Sequence, residues 1–401
     1  MPSCRPPRRV AILGAGLAGL SVALELLARD GRPEIVLVDR RETFPRDRTW
    51  CAWETGAWPI AGVARTRWHA WRVRADDRVA VHARSPIPYA CWSSDDVHRH
   101  ALSRLQAAGG VSLRLGQRVL DVDARAGTVR TDAGGLEADL VIDALALSSP
   151  LLRRHDRGRG LDGRPAVAQA FLGLEVETER PVFDPGIVDL MDFDALPRTP
   201  GFARFLYLLP FSPTRALLED TTFGPGDLAA QERRDALAAW LERQGAGSWR
   251  VVHEERGRLP MSTVPFPLRH GRRVWTAGTG AGALRPSSGY ALARIQRHAA
   301  ALAQAVVAGR PAPPGLGSSR RAPLDAVLLR ALRDAPDAAG GWFRGLVEHS
   351  DPGSFARFMS DASSPLDEAR MALAAPVVPM SRAAVAELRH TTRRFIDPTA
   401  G

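Results

Sequence analysis

Three glycines near the start of the chain, Gly14, Gly16 and Gly19, have the spacing of a turn that holds a phosphate group. In such a turn the first glycine permits a tight bend, the second lets the backbone approach a pyrophosphate, and the third lets the next helix pack closely on the strand. Asp39 lies 20 residues beyond Gly19, where a carboxylate can accept hydrogen bonds from both hydroxyls of a ribose. Because the chain has 36 glycines, an ordinary glycine-rich turn is the alternative interpretation.

The flanking sequence predicts the elements that position these residues. Residues 10–13 (VAIL) predict a strand buried on both faces, a helix extends from the glycines to about Arg29, and residues 34–39 (EIVLVD) predict a second strand. The N–H groups at the start of that helix point toward the phosphates. Strand, turn, helix, strand and acid in this order predict that the chain binds the ADP half of a dinucleotide. This unit alone does not separate FAD from NAD.

A second glycine turn occurs late in the chain, at Gly278, Gly280 and Gly282, between a predicted strand (RVWT) and a predicted helix. In FAD enzymes a turn at this place brings a helix N-terminus toward the pyrimidine and ribityl oxygens of the flavin. The second turn therefore favours FAD over NAD and makes these three glycines candidate cofactor-binding residues.

Two adjacent acidic residues, Glu219 and Asp220, lie on the second strand of a predicted hairpin that turns between Pro210 and Pro213. Since successive side chains of a strand point to opposite faces, Glu219 shares one face with Leu217, and Asp220 points to the other. Adjacent carboxylates on opposite faces cannot both serve one site directly. From this pattern alone, Glu219 is either a functional acid or a solvated residue on the sheet surface.

The overall composition argues against several classes of protein. All 54 basic residues are arginines, and they are scattered, so the formal net charge of +10 favours a basic face toward anionic lipid over a nucleic-acid partner. Three cysteines, Cys4, Cys51 and Cys91, have neither CxxC spacing nor an even number. We therefore expect no metal site and a reducing compartment.

The N-terminal apolar run resembles a secretory signal, but Glu25 interrupts it and no small-x-small cleavage site follows cleanly. Elsewhere no stretch of about 18 uninterrupted apolar residues occurs, which argues against a spanning helix. We expect a cytoplasmic protein that is soluble or peripherally bound to a membrane.

The order of the predicted elements gives an α/β fold: an FAD-binding Rossmann-like domain of the hydroxylase type, an inserted β-sheet substrate domain and a helical C-terminal region. In that last region an apolar patch, MALAAPVVPM at 371–380, is suited to covering a greasy ligand or touching lipid. The predicted boundaries are 1–75, 95–165 and 266–310 for the FAD-binding domain, 76–94 and 166–265 for the substrate domain, and 311–401 for the covering helices.

Several segments resemble, in order, those of the flavin-dependent lycopene cyclases of bacteria and plants. The most specific are LMDF (190–193), LLEDT (217–221) and SSGYALARIQ (287–296). In DRTWCAWE (47–54), Ala52 replaces a phenylalanine of the family pattern. The similarity covers essentially the whole chain, and its other segments are FLGLEVETERPVFDPGIVDLMDF (171–193), LPFSPTRALLEDT (209–221), ERGRLPM (255–261), RPSSGYALARIQ (285–296) and RFMSDASSPLDEARMALAAP (357–376).

This resemblance implies that the chain closes the acyclic ψ ends of lycopene to β rings, giving γ-carotene and β-carotene. The reaction is an isomerisation that begins with a proton added to C2 and ends with loss of the C6 proton. The resemblance also implies FAD kept reduced by NAD(P)H without net redox turnover and a hydrophobic carotenoid substrate. From the charge and the apolar patch we expect peripheral contact with the inner face of the cell membrane. We expect no nucleic-acid partner, and the oligomeric state stays open.

By the same resemblance, Glu219 matches the essential carboxylate of the family, and burial would raise its pKa into the range of a general acid. Asp220 is expected to be a structural partner and is grouped with the substrate or cation-stabilising residues. Trp50, Trp53 and Tyr290 complete that set, because their π faces can stabilise a transient cation. Core packing is the alternative interpretation for each of these rings.

Two departures from related flavoproteins bear on the cofactor. Residues 142–146 (IDALA) replace a D-A-R-G type sequence, so we expect a contact near the cofactor to be lost or replaced. The late turn lacks the aspartate that hydroxylase-type flavoproteins place on the ribityl chain, a trait shared with the cyclases. That absence argues against the alternative function, a redox flavoenzyme (monooxygenase or prenyl-chain reductase) acting on an isoprenoid. The number of ends closed, the ring type, the preferred carotenoid and the choice between NADH and NADPH stay open.

Overall fold

Two large β-sheets and two small ones organise the part of the chain that the structure describes. The structure is a computed structural model that describes residues 5–156, 167–263, 269–313, 316, 321–376 and 379–387. The helices that accompany the sheets are α1 (Leu17–Leu27), α2 (Ser94–Gln106), α3 (Pro150–Asp156), α4 (Ala230–Arg243), α5 (Leu292–Val307), α6 (Ala322–Asp334), α7 (Ala339–Glu348), α8 (Pro352–Met359) and α9 (Pro365–Ala374).

The first large sheet is parallel. Its strands are β1 (Arg9–Leu13), β2 (Glu34–Asp39), β8 (Val111–Leu115), β12 (Leu140–Asp143) and β18 (Val274–Thr276). They lie in the order β18-β12-β1-β2-β8, so the carboxyl ends of β18, β12 and β1 meet at one edge, where α1 begins.

Both faces of this sheet are covered, which explains why its strands are continuous apolar runs. Val10 and Ile12 of β1 pack in a core with α1, α2 and α5, whereas Ala11 and Leu13 pack in a second core on the opposite face. A small antiparallel sheet supplies that second core, and its strands are β9 (Val119–Asp123), β10 (Thr128–Thr131) and β11 (Gly134–Glu137).

The second large sheet has seven strands in the described residues. They are β5 (Trp71–Ala75), β6 (Arg78–His82), β13 (Val167–Thr178), β14 (Val188–Asp192), β15 (Ala203–Ser212), β16 (Arg215–Gly224) and β17 (Trp249–Met261). Their order is β17-β13-β16-β15-β14-β5-β6, and every pair is antiparallel except β14 with β5. Helix α4 covers one face of this sheet, and α6 to α9 pack over the other.

A small bridging sheet connects the two halves of the fold. Its strands are β3 (Thr49–Trp53), β4 (Thr66–Trp68) and β7 (Tyr89–Ser93). Trp92 of β7 packs with the helices of the parallel sheet, whereas Tyr89 and Cys91 pack with the large antiparallel sheet. Because side chains alternate between the two faces of β7, one face of the bridging sheet packs against each half of the protein.

The predicted fold class is confirmed: an FAD-binding Rossmann-like domain of the hydroxylase type carries an inserted β-sheet domain and C-terminal helices. One boundary differs from the prediction, because residue 75 lies inside a hairpin in which Trp71 pairs with His82. No helix within the described ranges is both long and apolar enough to cross a bilayer. Residues 377–378 of the predicted apolar patch and 388–401 of the predicted covering region lie outside the described residues.

Candidate active site

The turn after β1, residues 14–19, has the features of a phosphate-binding turn. Gly14 has φ +98°, a left-handed conformation that favours glycine, and its N–H donates to the Val38 carbonyl at 2.7 Å. A Cβ on Gly19 would collide with the Gly14 carbonyl oxygen, so glycine alone lets α1 approach this closely. A Cβ on Gly16 would meet no heavy atom within 4 Å. The backbone at Gly16 thus faces open space at the start of α1, which fits a pyrophosphate.

Asp39 ends β2 at the same edge of the parallel sheet. Its Oδ2 accepts a hydrogen bond from the Ala15 N–H at 2.7 Å, and its Oδ1 accepts from the Arg41 N–H at 2.8 Å. The carboxylate is 6% exposed and lies directly beside the glycine turn. Donors at the turn and an acceptor at its flank fit the phosphate and ribose of the ADP half of a dinucleotide.

Gly16→Ser is expected to weaken flavin binding while leaving the fold intact. Gly16 is the N-cap of α1 at φ −75° and ψ 179°, a conformation that serine adopts readily and a position where serine is favoured. The added side chain would enter the open space at the turn, so we expect FAD affinity to fall at least tenfold, or about 1.4 kcal/mol. Fluorescence titration of the apoprotein with FAD measures this.

The matched control is Gly19→Ser, in the same turn. Its Cβ collides with backbone, so its urea midpoint should fall, whereas that of Gly16→Ser should equal the wild-type value. Unchanged FAD affinity in Gly16→Ser would contradict the assignment of this turn to the phosphates.

The three late glycines form a short 3-10 helix, Gly278–Ala281 with Gly282 as its C-cap, whose first residue packs against α1. Gly278 has φ +68°, and a Cβ there would be 2.5 Å from the Ala18 Cβ of α1. Gly282 also has positive φ (+77°), and a Cβ on Gly280 would be 3.0 Å from a threonine methyl. Helix α5 begins only at Leu292. The late turn therefore packs against the dinucleotide unit. The prediction that a helix follows these glycines directly is corrected, because a further segment separates Gly282 from α5.

The turn after β12 contains the departure at 142–146. Asp143 is buried, and its carboxylate accepts hydrogen bonds from the Leu145 N–H at 3.0 Å and from the Ser149 hydroxyl. Ala146 stands where the D-A-R-G type pattern has glycine, and it has φ +53°. The turn keeps a left-handed residue, but an alanine holds it, and Leu145 occupies the position of the arginine.

Ala146→Gly is expected to stabilise the protein. The left-handed conformation costs an L-residue about 1 kcal/mol, which glycine avoids, although glycine also loses more chain entropy on folding. We expect the free energy of unfolding to rise by about 0.5 kcal/mol, measured by urea denaturation. The control is Ala144→Gly, two residues earlier and outside the left-handed region, which should lower the free energy of unfolding. A loss of stability in Ala146→Gly would contradict the inference that the backbone at Ala146 is strained.

Glu219 lies in the middle of the large antiparallel sheet, on the face covered by the C-terminal helices. Its neighbours across the strands are Gly173 of β13 and Tyr207 of β15, and Glu255 of β17 faces Gly173 from the other side. These four residues form one row across β17, β13, β16 and β15. Leu217, on the same face of β16, packs in the core that contains the aromatic side chains of the bridging sheet.

The environment of Glu219 favours its neutral form. The residue is 8% exposed, burial raises its pKa well above the ordinary value, and the charge and hydrogen bonding of Glu255 raise it further. The Thr49 hydroxyl donates to Glu255 Oε2 at 3.1 Å, and His253 Nε2 lies 3.6 Å from the same oxygen. These effects favour the protonated form of Glu219, the state that a proton donor requires.

Three tyrosines cluster near this acid, of which Tyr89 is fully buried and Tyr207 and Tyr290 are half-buried. The Tyr89 hydroxyl is 2.7 Å from that of Tyr207 and 3.0 Å from that of Tyr290. Burial raises the pKa of all three phenols, so they are neutral hydrogen-bonding groups. The Trp53 ring centroid lies 4.6 Å from Tyr89 and 5.3 Å from Tyr290. The structure thus brings the predicted Trp53 and Tyr290 together, and Tyr290 interacts with Glu219, in surroundings able to protonate an apolar molecule and hold a cation.

Comparison with known proteins decides the family. A family model described as "Lycopene cyclase protein" matches residues 9–385. The chain belongs to the lycopene cyclase family. The lycopene beta-cyclase of a Paracoccus species is 31% identical to it, over 81% of this chain and 79% of that protein. The chloroplastic lycopene beta cyclase of Arabidopsis thaliana is 27% identical over 74% of this chain, which spans 60% of the plant protein.

Solved structures resemble this lycopene cyclase family member in fold. A geranylgeranyl bacteriochlorophyll reductase-like protein from Thermoplasma acidophilum has a TM-score of 0.59 at 14% identity, covering 95% of this chain and 98% of that one. PqsL of Pseudomonas aeruginosa, a probable FAD-dependent monooxygenase, has a TM-score of 0.55 at 18% identity, covering 85% and 96%. Sequence identities this low support the shared fold alone.

Within the cyclase-family fold, Trp50 lies apart from Trp53. The two are three residues apart on β3 and therefore point to opposite faces. The Trp50 ring centroid lies 6.1 Å from that of His98, whose Nε2 is 2.9 Å from the Ala15 carbonyl oxygen. The prediction that both tryptophans line one site is corrected: Trp50 borders the glycine turn, and Trp53 the tyrosines.

Asp220 also lies apart from the site of this cyclase-family chain. It is fully buried on the opposite face of β16, where Arg204 Nη2 is 2.6 Å from Oδ2 and Arg233 Nη1 is 3.0 Å from Oδ1. The prediction that Asp220 belongs to the substrate or cation-stabilising set is therefore wrong. Its ion pairs join β15, β16 and α4 behind the sheet.

The sequence interpretation missed Glu255, Tyr207, Tyr89 and Thr49. Glu255 begins the ERGRLPM segment, so the family resemblance contained it without a role. Tyr207 lies on the first strand of the predicted hairpin, and the pairing of that hairpin places it opposite Glu219. Predicting the pairing register of the hairpin from the sequence would have placed Tyr207 opposite Glu219.

Proposed function

We propose that this chain is a lycopene β-cyclase, an isomerase that closes the acyclic ψ ends of lycopene to β rings and forms γ-carotene and β-carotene. The observation that carries the proposal is Glu219, a buried acid held neutral beside Trp53 and the three tyrosines. The bacterial and plant relatives named lycopene beta-cyclase support the choice of substrate.

The side chains fit the needs of a hydrocarbon substrate. Such a substrate offers no polar handle, so the site must supply apolar walls, a proton donor and stabilisation of a cation. The Glu219 proton adds to C2 of an acyclic end, C1 becomes cationic, and the C5=C6 bond attacks C1. Loss of the C6 proton leaves the ring. Trp53 and Tyr290 offer π faces to the cation.

We further propose FAD, kept reduced by NAD(P)H, as the cofactor. The open backbone at Gly16, the acceptor at Asp39 and the adjacent turn at Gly278 fit the ADP half of this group. Reduced FAD supplies negative charge near the transient cation without electron transfer to the product. The residues of the turns bind and orient it.

Expression in bacteria engineered to accumulate lycopene, followed by chromatography of the pigments, tests the proposal. We expect γ-carotene and β-carotene in cells that contain the wild-type protein. The matched control is Gly16→Ser, which should leave lycopene in proportion to its lost flavin. Unchanged lycopene in cells with soluble, flavin-loaded wild-type protein would contradict the proposal.

The redox alternative predicts a different stoichiometry. A monooxygenase or reductase consumes one NAD(P)H for each product molecule, whereas an isomerase needs the nicotinamide only to reduce its flavin once. The purified protein with lycopene in liposomes is therefore expected to form many rings for each NAD(P)H oxidised. A ratio of one would favour the redox alternative.

We propose that the protein is cytoplasmic and binds the inner face of the cell membrane through α9. Leu366 and Leu373 are 60% and 85% exposed, and with exposed Ala369 they share one side of this helix. Met371, on the other side, packs in the same core as the site aromatics. Arg370 is exposed beside the leucines, where it can contact anionic lipid. Helix α9 thus has two apolar sides: one, with Met371, packs toward the site, and the other, with Leu366 and Leu373, faces solvent.

Leu373→Glu is expected to weaken membrane binding. The residue is 85% exposed, so the change costs the fold little, but it places a charge on the apolar side of α9. We expect the fraction that sediments with anionic liposomes to fall about fivefold, the effect of losing about 1 kcal/mol. The control is Leu120→Glu, a 41% exposed leucine on β9. Equal sedimentation of both variants would contradict α9 as the docking element.

A further inference from the structure

The buried carboxylates of the large sheet differ in their partners. Asp220 forms ion pairs with two arginines, and Glu175 with three. Glu219 and Glu255 are 8% and 3% exposed, yet neither forms an ion pair with an arginine in the part of the chain that the structure describes. Repulsion between two neighbouring carboxyl groups that are out of water and have no arginine partner disfavours the ionisation of both.

We propose that Glu219 and Glu255 share one proton across Gly173 and act as a single acid–base unit, which gives a proton to C2 of lycopene and recovers the one lost from C6. This proposal rests on the proposed cyclase function and assigns a role to a second glutamate. Because Glu255 acts through Glu219, it is a positioning residue for the proton.

Gly173 makes this sharing possible. It lies on the strand between the two glutamates, and a Cβ there would be 2.9 Å from Glu219 Cγ and 3.2 Å from Glu255 Cγ. Without a side chain at this position, both carboxyl groups extend over the strand toward each other. The Thr49 hydroxyl donates to Glu255 Oε2 at 3.1 Å, so one oxygen of this carboxyl group acts as an acceptor. Because burial and Glu255 raise the pKa of Glu219, the shared proton is assigned to Glu219, which neighbours Tyr207.

The glutamate pair accounts for both the proton added to C2 and the proton lost from C6 during ring closure. The Glu219 O–H bond breaks as the π electron pair of C1=C2 forms the C2–H bond and leaves C1 cationic. The electron pair of C5=C6 then makes the C1–C6 bond and leaves C5 cationic. The C6–H bond then breaks, its electron pair restores C5=C6, and the proton returns to the carboxylate pair. C2 and C6 are both bonded to C1 in the new ring, so a pair that reaches one lies beside the other. Each cycle leaves the enzyme unchanged and needs no oxidant or reductant.

The other titratable groups around the pair come from several elements. Cys51 of β3, Tyr207 of β15 and Tyr290 before α5 all interact with Glu219, and burial raises the pKa of each, so these groups are neutral. His253 of β17 is the other titratable neighbour, and its Nε2 lies 3.6 Å from Glu255 Oε2. A test based on pH must therefore separate His253 from the pair.

The first experiment is the pH–rate profile of ring formation for the reduced, flavin-loaded protein. Glu255→Gln is expected to lower the rate about 100-fold and to move the alkaline limit of activity to lower pH, because the neighbouring charge that raises the pKa of Glu219 is removed. The matched control is Glu254→Gln, which changes a residue bonded to Arg234 on the sheet surface and should retain the wild-type profile. His253→Gln should keep the alkaline limit.

Two outcomes of that experiment would overturn the proposal. One is a slower Glu255→Gln enzyme with an unchanged alkaline limit, since a merely structural role would act in this way. The other is an alkaline limit that disappears in His253→Gln. If Glu255→Gln does not fold, Glu255→Asp keeps the charge and is expected to retain the limit.

The second experiment needs no substrate and so separates this proposal from the cyclase function. Infrared difference titration of the flavin-loaded protein is expected to show a protonated carboxyl at neutral pH, with a midpoint that falls in Glu255→Gln and a band that disappears in Glu219→Gln. A wild-type protein without that band overturns the shared proton, whatever its activity. A wild-type protein with the band and no effect on lycopene would overturn the proposed function and leave the pair intact.

Discussion

Glu219→Gln is expected to abolish ring formation while the protein stays folded and flavin-loaded. A glutamine occupies the space of a protonated glutamate, so the packing beside Leu217 changes little, but it has no acidic proton to give to C2. Removal of a general acid costs between about 100-fold and 10,000-fold in rate, and a hydrocarbon substrate has no alternative donor, so we expect the upper end of this range. Single-turnover assays with reduced enzyme and lycopene in liposomes measure the rate.

The pH dependence of the wild-type enzyme gives an independent check on the same residue. Activity requires the protonated form, and burial raises the pKa of Glu219. Ring formation is therefore expected to be present below the raised pKa of Glu219 and to be lost as the pH rises through it. Glu254→Gln serves as the matched control for charge removal. Full activity in a flavin-loaded Glu219→Gln protein would eliminate Glu219 as the proton donor.

The parts of the site that follow from local sequence were predictable. The glycine turn and Asp39 lie within one strand-turn-helix-strand unit, so their relative placement depends on backbone geometry that the spacing already encodes. Likewise, alternation along β16 was sufficient to put Glu219 and Asp220 on opposite faces. Hydrophobic pattern also identified the long strands of the second sheet, although it did not show that the sheet begins at Trp71.

The features that depend on strand order were not predictable in this way. Glu255 meets Glu219 because β17 and β16 both pair with β13, and nothing in the local pattern of ERGRLPM reports that order. Tyr89 reaches Tyr290 only because the bridging sheet lies between the two halves of the fold. Trp50 was assigned to the wrong face because two tryptophans in one motif were treated as a cluster, whereas a spacing of three along a strand separates them.

Asp220 shows how a motif can contain two residues with unrelated roles. Glu219 has no arginine partner among the described residues, and its preference for the protonated form depends on this lack of a cation. Asp220, in contrast, forms ion pairs with Arg204 and Arg233. Both acids of LLEDT are buried, so burial does not distinguish them. The distinction lies in the cations, which come from β15 and α4 and are distant from the motif in sequence.

Asp220→Asn is expected to destabilise the protein strongly without removing its chemistry. The change leaves two buried guanidinium groups without their shared charge, and breaking a buried ion pair costs about 3–5 kcal/mol. We expect the free energy of unfolding to fall by about that amount in urea denaturation, while the folded fraction still forms rings. The control is Glu232→Gln, which removes an exposed partner of Arg204 and should cost under about 1 kcal/mol. A stable but inactive Asp220→Asn protein would indicate that Asp220 acts in the reaction. A destabilised protein that is active when folded would indicate that Asp220 serves to hold α4 against the sheet.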